Sequence, residues 1–205
     1  MKTIIITGPS SSGKTFLTNK LSKYLKNTIV IKTDSYYRSC ILIKILSIFL
    51  HDIYDRKISI KINEINKTLR SIYLKKDIIN FYEYDYKNKK STKYQAKINY
   101  DKEDQYLILE GIFAHRIDLN NNNTINIICQ EQKEVCFKRR LIRDISTRGR
   151  DRMEVHKRFS SSWDLFYKHI NKFIETNKVI FLKTNEKKSI DLLIKIITQK
   201  NNQDK

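Results

Sequence analysis

The chain has 205 residues, of which 40% are hydrophobic and 31% are charged, so it carries enough apolar side chains to bury a core. This length predicts one compact domain and excludes a short peptide that depends on disulfides or metals to fold. The formal net charge of +19 favours anionic partners, which include nucleotides, nucleic acid and anionic membrane surfaces.

The cysteines and the apolar runs indicate the kind of cellular compartment in which the protein works. The cysteines are Cys40, Cys129 and Cys136, an odd number without C-x-x-C spacing, which argues against a disulfide framework and a zinc site. The longest apolar run, residues 40–50, contains Lys44 and is shorter than the about 20 residues that cross a bilayer. We therefore expect a cytoplasmic protein in a reducing compartment, with no membrane partner.

Residues 2–7 form the first predicted element, a buried parallel strand rich in β-branched side chains, and residues 14–25 predict a helix. The segment between them matches G-x-x-x-x-G-K-[ST] in the strand, loop and helix context that this motif requires. Its residues are Gly8, Pro9, Ser10, Ser11, Ser12, Gly13, Lys14 and Thr15. In such a P-loop the backbone N–H groups bind phosphates, Lys14 reaches the β and γ oxygens, and Thr15 ligates Mg²⁺.

A P-loop indicates nucleotide binding without naming the reaction. The strings N-K-x-D and D-x-x-G, which a signalling GTPase requires, do not occur in the sequence. The sensor elements and the greater length of motor-type ATPases are missing as well. The sequence therefore predicts a small P-loop kinase.

Two carboxylates follow predicted strands, at the sheet edge where α/β proteins bind ligands. Asp34 follows the strand at 28–31, and Glu110 follows the strand at 106–109. A kinase that acts on a hydroxyl needs a carboxylate to orient it and accept its proton, which Asp34 could supply; the alternative is a helix N-cap. Glu110 could hold Mg²⁺ opposite Thr15; the alternative is a surface acid after a strand.

Five arginines lie between residues 139 and 150, on a predicted helix at 135–145 and just beyond it: Arg139, Arg140, Arg143, Arg148 and Arg150. Arginine forks bind phosphate through paired hydrogen bonds and offset the charge that builds on a transferred phosphoryl group. The alternative is a solvated basic helix face. Gly149, between two of the arginines, predicts a hinge in a mobile lid.

Together these motifs resemble the uridine-cytidine kinase family of P-loop nucleoside kinases, near relatives of the phosphoribulokinase group. Residues 8–15 resemble that family's serine-rich P-loop, residues 34–37 its D-S-[FY]-Y, and residues 110–112 its E-G-I. Residues 139–151 are similar to its lid, R-x-x-R-D-x-x-x-R-G-R-D, which is the most specific of these motifs. The resemblance covers most of the chain.

The resemblance implies roles for individual residues. Asp34 would be the catalytic base for the ribose 5′-hydroxyl, and the groups acting on the triphosphate would be Lys14, Arg143, Arg148 and Arg150. The acceptor site would comprise Tyr54, Asp55, Tyr84, Tyr86, Ile112 and Arg140. Within it, Asp55 and Arg140 would hold the ribose, and the aromatic residues of 84–86 would line the base pocket. Without the resemblance, residues 81–86 predict only an ordinary aromatic strand or hairpin.

The resemblance also implies Mg²⁺, ATP or GTP as phosphoryl donor, a nucleoside acceptor and a homo-oligomer, often a tetramer. The chain departs from the family on the acceptor side, where Lys87, Asn88 and Lys89 replace a pyrimidine-reading histidine. Arg158 is the residue nearest to the position where the family has a glutamine after the lid. Residues 56–61 stand where the family has H-P-D-A-F-D. These departures concern the choice of acceptor and leave the phosphoryl-transfer residues in place.

The first choice of function is a uridine or cytidine kinase of pyrimidine salvage. One alternative is a P-loop kinase with another small ribosyl acceptor or a polynucleotide 5′-hydroxyl. Another is a nucleic-acid-binding P-loop ATPase, which the charge of +19 would suit, so a nucleic-acid partner is neither required nor excluded.

The predicted fold is the α/β three-layer fold of P-loop NTPases, with a central, mostly parallel sheet, a helical arginine lid and a small acceptor-binding hairpin region. We expect a single domain over residues 1–205. Its predicted parts are the P-loop at 8–15, an acceptor-binding insertion at about 35–100, the lid at about 139–158 and a frayed tail at 200–205.

Further elements follow from periodicity. The segments predicted as mainly helical are residues 40–80, 152–178 and 189–199, and residues 179–184 predict a last strand. The first helix is expected to bury one face formed by Phe16, Leu17, Leu21 and Leu25.

Overall fold

The computed structural model describes residues 1–50, 53–100, 105–117, 119 and 124–203. Its strands are β1 (Lys2–Thr7), β2 (Thr28–Lys32), β3 (Ile78–Asp85), β4 (Lys90–Lys97), β5 (Tyr106–Glu110), β6 (Thr124–Gln130) and β7 (Val179–Lys183). Five of these pair in parallel in the order β2-β5-β1-β6-β7, and β3 pairs with β4 as a separate antiparallel hairpin. The predicted parallel sheet is confirmed.

The helices are α1 (Lys14–Tyr24), α2 (Ile41–Phe49), α3 (Ile62–Tyr73), α4 (Lys133–Arg148), α5 (Arg152–Thr176) and α6 (Lys187–Gln203). Short 3₁₀ segments lie at Thr33–Tyr36, Ile53–Asp55, Lys57–Ser59 and Ala114–Arg116. None of the helices in the described part of the chain combines the length and the apolar composition that crossing a bilayer requires.

The sheet is covered on both faces, because alternate residues of a strand point to opposite sides. Ile4 and Ile6 of β1 pack with buried side chains of α1 and α6, such as Leu17 and Leu193. Ile5 belongs to the other cluster, whose helical side chains come from α3 and α5 and include Ile65, Phe166 and Ile170. These two apolar clusters make the helix, sheet, helix layering of the predicted three-layer fold.

One prediction about α1 was wrong. Leu17, Leu21 and Leu25 are buried, but Phe16 is 58% exposed. Neighbouring residues of a helix are about 100° apart, so Phe16 turns away from the side that packs on the sheet. It lies instead in the lining of the large cavity described below.

Several element boundaries differ from the predicted ones. Among its described residues, the segment at 40–80 has α-helices at Ile41–Phe49 and Ile62–Tyr73 and 3₁₀ segments at Ile53–Asp55 and Lys57–Ser59, and its end already belongs to β3. Helix α4 is longer than predicted and ends at Gly149, which adopts the left-handed conformation (φ 63°) common at helix C-termini. Helix α6 extends to Gln203, and residues 204–205 lie outside the described residues, so the fraying of 200–205 stays a prediction.

The sheet order decides where the functional segments meet. Strand β5 lies between β2 and β1 and is parallel to both. The chain therefore leaves all three strands at the same carboxyl edge of the sheet. The P-loop follows β1, the 3₁₀ segment at Thr33–Tyr36 follows β2, and Gly111 follows β5. Ligands of open α/β sheets bind at this edge.

Candidate active site

The P-loop joins β1 to α1, and its lysine lies within the loop. Lys14 is only 6% exposed, and its Nζ donates a hydrogen bond of 2.9 Å to the carbonyl of Pro9. Gly13 precedes α1 with φ 93°, and a Cβ at this position would overlap the side chain of Thr184. The Thr184 hydroxyl also donates to the carbonyl of Ser12 at 3.1 Å. Thr184, which follows β7, therefore holds the loop, a role that no sequence motif indicates.

Asp34 lies at the end of β2 and points towards β5. Its Oδ1 accepts a hydrogen bond of 3.0 Å from the backbone N–H of Ile112. The 3₁₀ segment that contains Asp34 begins after Lys32 and has no side-chain cap, so the N-cap alternative is not what the structure shows. A Cβ at Gly111 would lie 2.6 Å from Asp34 Oδ1, so glycine permits this close approach.

Glu110 and Thr15 form the second acidic contact of the site. Glu110 is 5% exposed, which contradicts the surface-acid alternative, and its Oε1 accepts a hydrogen bond of 3.2 Å from the Thr15 hydroxyl. Adjacent ligands of octahedral Mg²⁺ lie about 3 Å apart, and Mg²⁺ binds one or two protein oxygens together with substrate phosphates. The described residues contain no group of three His, Cys, Asp or Glu side chains for an all-protein metal site. Thr15 and Glu110 fit the other kind of Mg²⁺ site, in which substrate phosphates supply further ligands.

Burial changes the acidity of both carboxyl groups. Desolvation raises the pKa of Asp34 above its ordinary 3.8, although Lys14, the Ile112 amide, Arg148 and Arg143 act in the opposite direction. Desolvation also raises the pKa of Glu110 above its ordinary 4.5, and the nearby charge of Asp34 adds to this shift. Both groups therefore hold their protons to a higher pH than an exposed carboxyl group.

These shifts predict the acid side of the pH profile. The predicted roles of Asp34 as proton acceptor and of Glu110 as Mg²⁺ ligand both require an ionised carboxylate, so kcat/KM should fall as the pH drops through their raised pKa values. The acid limb should therefore lie above the ordinary values of 3.8 and 4.5. The measurement is kcat/KM for the Mg²⁺–ATP complex across pH, which reports the pKa values of the enzyme before the donor binds, with circular dichroism at each pH to show that the fold persists. A limb at or below those ordinary values would contradict the prediction.

An aromatic cluster brings together three of the residues predicted to bind the acceptor. The ring of Tyr37 makes edge contacts with Tyr54, Tyr84, Tyr86 and Phe113, at centroid distances of 5.5, 5.2, 6.3 and 6.5 Å. The hydroxyls of Tyr54 and Tyr84 are buried without a partner at hydrogen-bond geometry among the described residues. Burial raises the pKa of Tyr84, and the neighbouring Tyr54 adds to this. The Tyr84 hydroxyl therefore stays neutral, and both buried hydroxyls are groups to which a bound ligand can hydrogen bond.

Tyr86 connects this cluster to the arginines. The Arg148 guanidinium stacks on the Tyr86 ring at 3.8 Å from its centroid, and the Tyr86 hydroxyl donates to the Asp34 carbonyl at 3.5 Å. In the adjoining turn, the Asp85 carboxylate accepts from the backbone N–H groups of Lys87 and Asn88. Of the three residues that replace the family histidine, Lys89 alone is among the residues lining the cavity.

Of the five predicted lid arginines, Arg139 has an exposed side chain, and the other four do not form a solvated face. Arg140 is 5% exposed and donates to the Ser162 hydroxyl at 2.6 Å, and the side chains of Arg148 and Arg150 are also largely buried. Arg143 is partly exposed and donates to the Ser10 hydroxyl of the P-loop at 3.4 Å. Helix α4 therefore brings Arg143 to the P-loop, and the closing motion of a lid stays a prediction.

One cavity of about 890 Å³ joins these parts. The predicted site residues that line it are Ser10, Ser11, Gly13, Lys14, Thr15, Asp34, Tyr54, Tyr84, Tyr86, Glu110, Ile112, Arg140, Arg143, Arg148 and Arg150. Gly8, Pro9 and Ser12 shape the loop without being among the lining residues, and the side chain of Asp55 lies outside the described part of the chain. Lining residues to which the sequence analysis assigned no role include Lys32, Ser35, Tyr37, Glu83, Thr184 and Asn185.

Comparison with known proteins agrees with this geometry. The sequence profile of the phosphoribulokinase/uridine kinase family matches residues 3–189. The chain belongs to this family. The membership confirms the resemblance indicated by the motifs and identifies the protein as a P-loop kinase. No curated protein sequence matches the chain significantly.

Solved structures share the fold of this family member at low sequence identity. A putative fructose transport system kinase from Silicibacter sp. TM1040 is 12% identical, with a TM-score of 0.63 over 82% of this chain and 84% of that one. A possible uridine kinase from Bacillus stearothermophilus is 15% identical, with a TM-score of 0.59 over 88% of each chain. The YGR205w protein is also 15% identical, with a TM-score of 0.62 over 90% of this chain and 86% of its own.

Proposed function

We propose that this kinase transfers the γ-phosphoryl group of ATP to the 5′-hydroxyl of a pyrimidine ribonucleoside, uridine or cytidine, in pyrimidine salvage. The observation that carries the proposal is that Asp34 and the P-loop Lys14 line one cavity with Tyr54 and Tyr84, whose hydroxyls are buried. A hydroxyl bound among the tyrosines would thus lie between a proton acceptor and the phosphate site. GTP is the alternative donor.

The reaction follows from the residues around this point. Asp34 accepts the proton of the acceptor hydroxyl, whose oxygen forms a bond to the γ-phosphorus while the bond to the bridging β–γ oxygen breaks and ADP leaves. Lys14 and Arg143 bind the negative oxygens of the transferred group. Thr15 and Glu110 are the residues that would hold Mg²⁺, which when bound supplies charge neutralisation between the β and γ phosphates.

Several features support a nucleoside acceptor. The aromatic cluster offers ring faces and edges for a base, and the neighbouring buried hydroxyls of Tyr54 and Tyr84 can hydrogen bond to polar groups of the ligand. Arg140 is assigned to the ribose together with Asp55, and Ile112 to the apolar wall of the acceptor site. A homo-oligomer and a cytoplasmic location belong to the same proposal.

A second candidate is a kinase for another small acceptor that carries negative charge. Lys89 and Arg158 line the cavity at the two places where the resemblance would put a histidine and a glutamine. These cations only donate hydrogen bonds, whereas a neutral histidine both donates and accepts. A polynucleotide 5′-hydroxyl or a nucleic-acid-dependent ATPase would suit the charge of +19.

The test is phosphate transfer from γ-labelled ATP with Mg²⁺ to a panel of acceptors. The panel contains uridine, cytidine, adenosine, nicotinamide riboside, ribulose 5-phosphate and a 5′-hydroxyl oligonucleotide. Labelled uridine or cytidine monophosphate as the main product is the expected result. Preferential labelling of ribulose 5-phosphate would favour the anionic acceptor, and labelling of the oligonucleotide alone, or of nothing in the panel, would reject the nucleoside kinase.

A further inference from the structure

Asp144 of α4 has no solvent-exposed surface, yet it bears a carboxylate. Four arginines surround it: its oxygens lie 2.8 Å from Arg143 Nη2, 2.7 Å from Arg150 Nη1, 3.3 Å from Arg148 Nη1 and 3.5 Å from Arg140 Nε. The sequence alone indicates no role for this residue.

The local structure explains how four arginines reach one carboxylate. Arg140 and Arg148 lie one helical turn before and after Asp144, and Arg143 is its neighbour in the chain. Arg150 returns because Gly149 ends the helix in the left-handed conformation, and the Arg150 backbone N–H then donates to the Asp144 carbonyl at 3.1 Å.

Charge and hydrogen-bond capacity favour a further anion at this place. The four guanidiniums carry far more N–H donors than one carboxylate can accept. All four arginines line the large cavity, whereas Asp144 is not among the lining residues. Four positive charges around one negative charge leave the cavity side electropositive, and Arg143 already extends to the Ser10 hydroxyl of the P-loop.

Asp144 stays ionised in this setting. Burial alone would raise its pKa, but the four arginines, Arg143 foremost, hold the pKa below its ordinary 3.8. The carboxylate is therefore a permanent acceptor near neutral pH. A buried charge of this kind is costly unless its partners keep their geometry, so its position and theirs are coupled.

We propose that Asp144 is the positioning residue of the arginine lid: it binds one edge of each guanidinium and directs the remaining N–H groups of Arg143, Arg148 and Arg150 towards the phosphates of the nucleotide donor. The inference rests on the proposed function only in placing the donor phosphates under these arginines. Asp144 itself touches no substrate. Its removal should therefore weaken recognition of the terminal phosphates more than recognition of the nucleoside part of the donor.

The experiment compares the affinities of AMP, ADP and ATP for wild type and Asp144→Asn, measured with Mg²⁺ by calorimetry and without any acceptor. Asparagine keeps the shape of aspartate and removes the charge. We expect ATP affinity to fall about 10- to 100-fold, ADP affinity to fall less and AMP affinity to stay within about twofold, since a charge-assisted hydrogen bond is roughly twice as strong as a neutral one. Because no acceptor is present, a wrong choice of nucleoside does not change this result.

Two further variants complete the test. Asp151→Asn makes the same chemical change in the same lid motif, at the N-cap of α5, where asparagine is an equally good cap, and it should leave all three affinities unchanged. Asp144→Glu keeps the charge but displaces it, and should show a smaller loss confined to ATP and ADP. The proposal is overturned if folded Asp144→Asn loses AMP, ADP and ATP affinity in parallel, or loses none. If Asp144→Asn does not fold, an unchanged ratio of ATP to AMP affinity in Asp144→Glu overturns it.

Discussion

Asp34→Asn is expected to lower kcat by about a thousandfold, because asparagine cannot accept the proton of the acceptor hydroxyl. The substitution is nearly isosteric, and its amide oxygen can still accept the hydrogen bond that Asp34 Oδ1 receives from the Ile112 N–H at 3.0 Å. The end of β2 should thus stay attached to the end of β5. The loss should appear in the chemical step, and the affinity for Mg²⁺ and ATP should not fall.

The measurement is single-turnover transfer of label from ATP to the best acceptor of the panel, together with ATP binding in the absence of acceptor. Asp164→Asn is the matched control, because Asp164 is an exposed residue of α5 that pairs with Lys133 on the surface. This control should behave as wild type. An Asp34→Asn rate within about threefold of wild type would exclude Asp34 as the base.

Arg143→Met should lower kcat by about a thousandfold as well, through loss of charge stabilisation on the transferred phosphoryl group. Arg143 is the lid arginine seen to contact the P-loop, at 3.4 Å from the Ser10 hydroxyl, and 36% of its side chain remains exposed. Methionine keeps the length of the apolar stem and removes the guanidinium. Arg143→Lys should recover only part of the rate, because lysine is a point charge without the planar fork.

The control for this prediction is Arg152→Met, at the start of α5, since Arg152 is exposed and is not among the residues lining the cavity. Rates are compared at saturating ATP, so that weaker donor binding does not enter kcat. Equal losses for Arg143→Met and Arg152→Met would indicate a general effect of lowering the net charge. Retention of wild-type kcat in Arg143→Met would remove Arg143 from the chemistry.

Much of the site was predictable because its parts are local. The P-loop is a contiguous string between a strand and a helix, and Asp34 and Glu110 each end an apolar strand. The lid arginines repeat within one short segment. Local strings of this kind constrain their own backbone, so sequence alone predicts them. The prediction of a buried Phe16 was wrong, because helical spacing does not indicate which of two neighbouring residues packs on the sheet and which one lines a cavity.

Other features required the tertiary structure. Thr184 supports the P-loop across 172 residues of sequence, and Arg143 reaches Ser10 across 133. In neither contact do both partners belong to the same motif. The burial of Asp144 could not be predicted from the sequence either, because a carboxylate next to arginines in a sequence most often forms a solvated ion pair.

The sequence by itself determined the phosphate-binding loop, the strand-end acids, the basic lid and the family that these imply. Only the tertiary structure shows which of these parts contact one another. The Ile112 amide donates to Asp34, 78 residues away in the sequence, and Thr15 donates to Glu110, 95 residues away. Both contacts form because β5 lies between β2 and β1 in the sheet. Strand order depends on how the faces of the whole sheet are covered by helices, and no local periodicity encodes it. Burial of those acids, and hence their raised pKa values, follows from that packing.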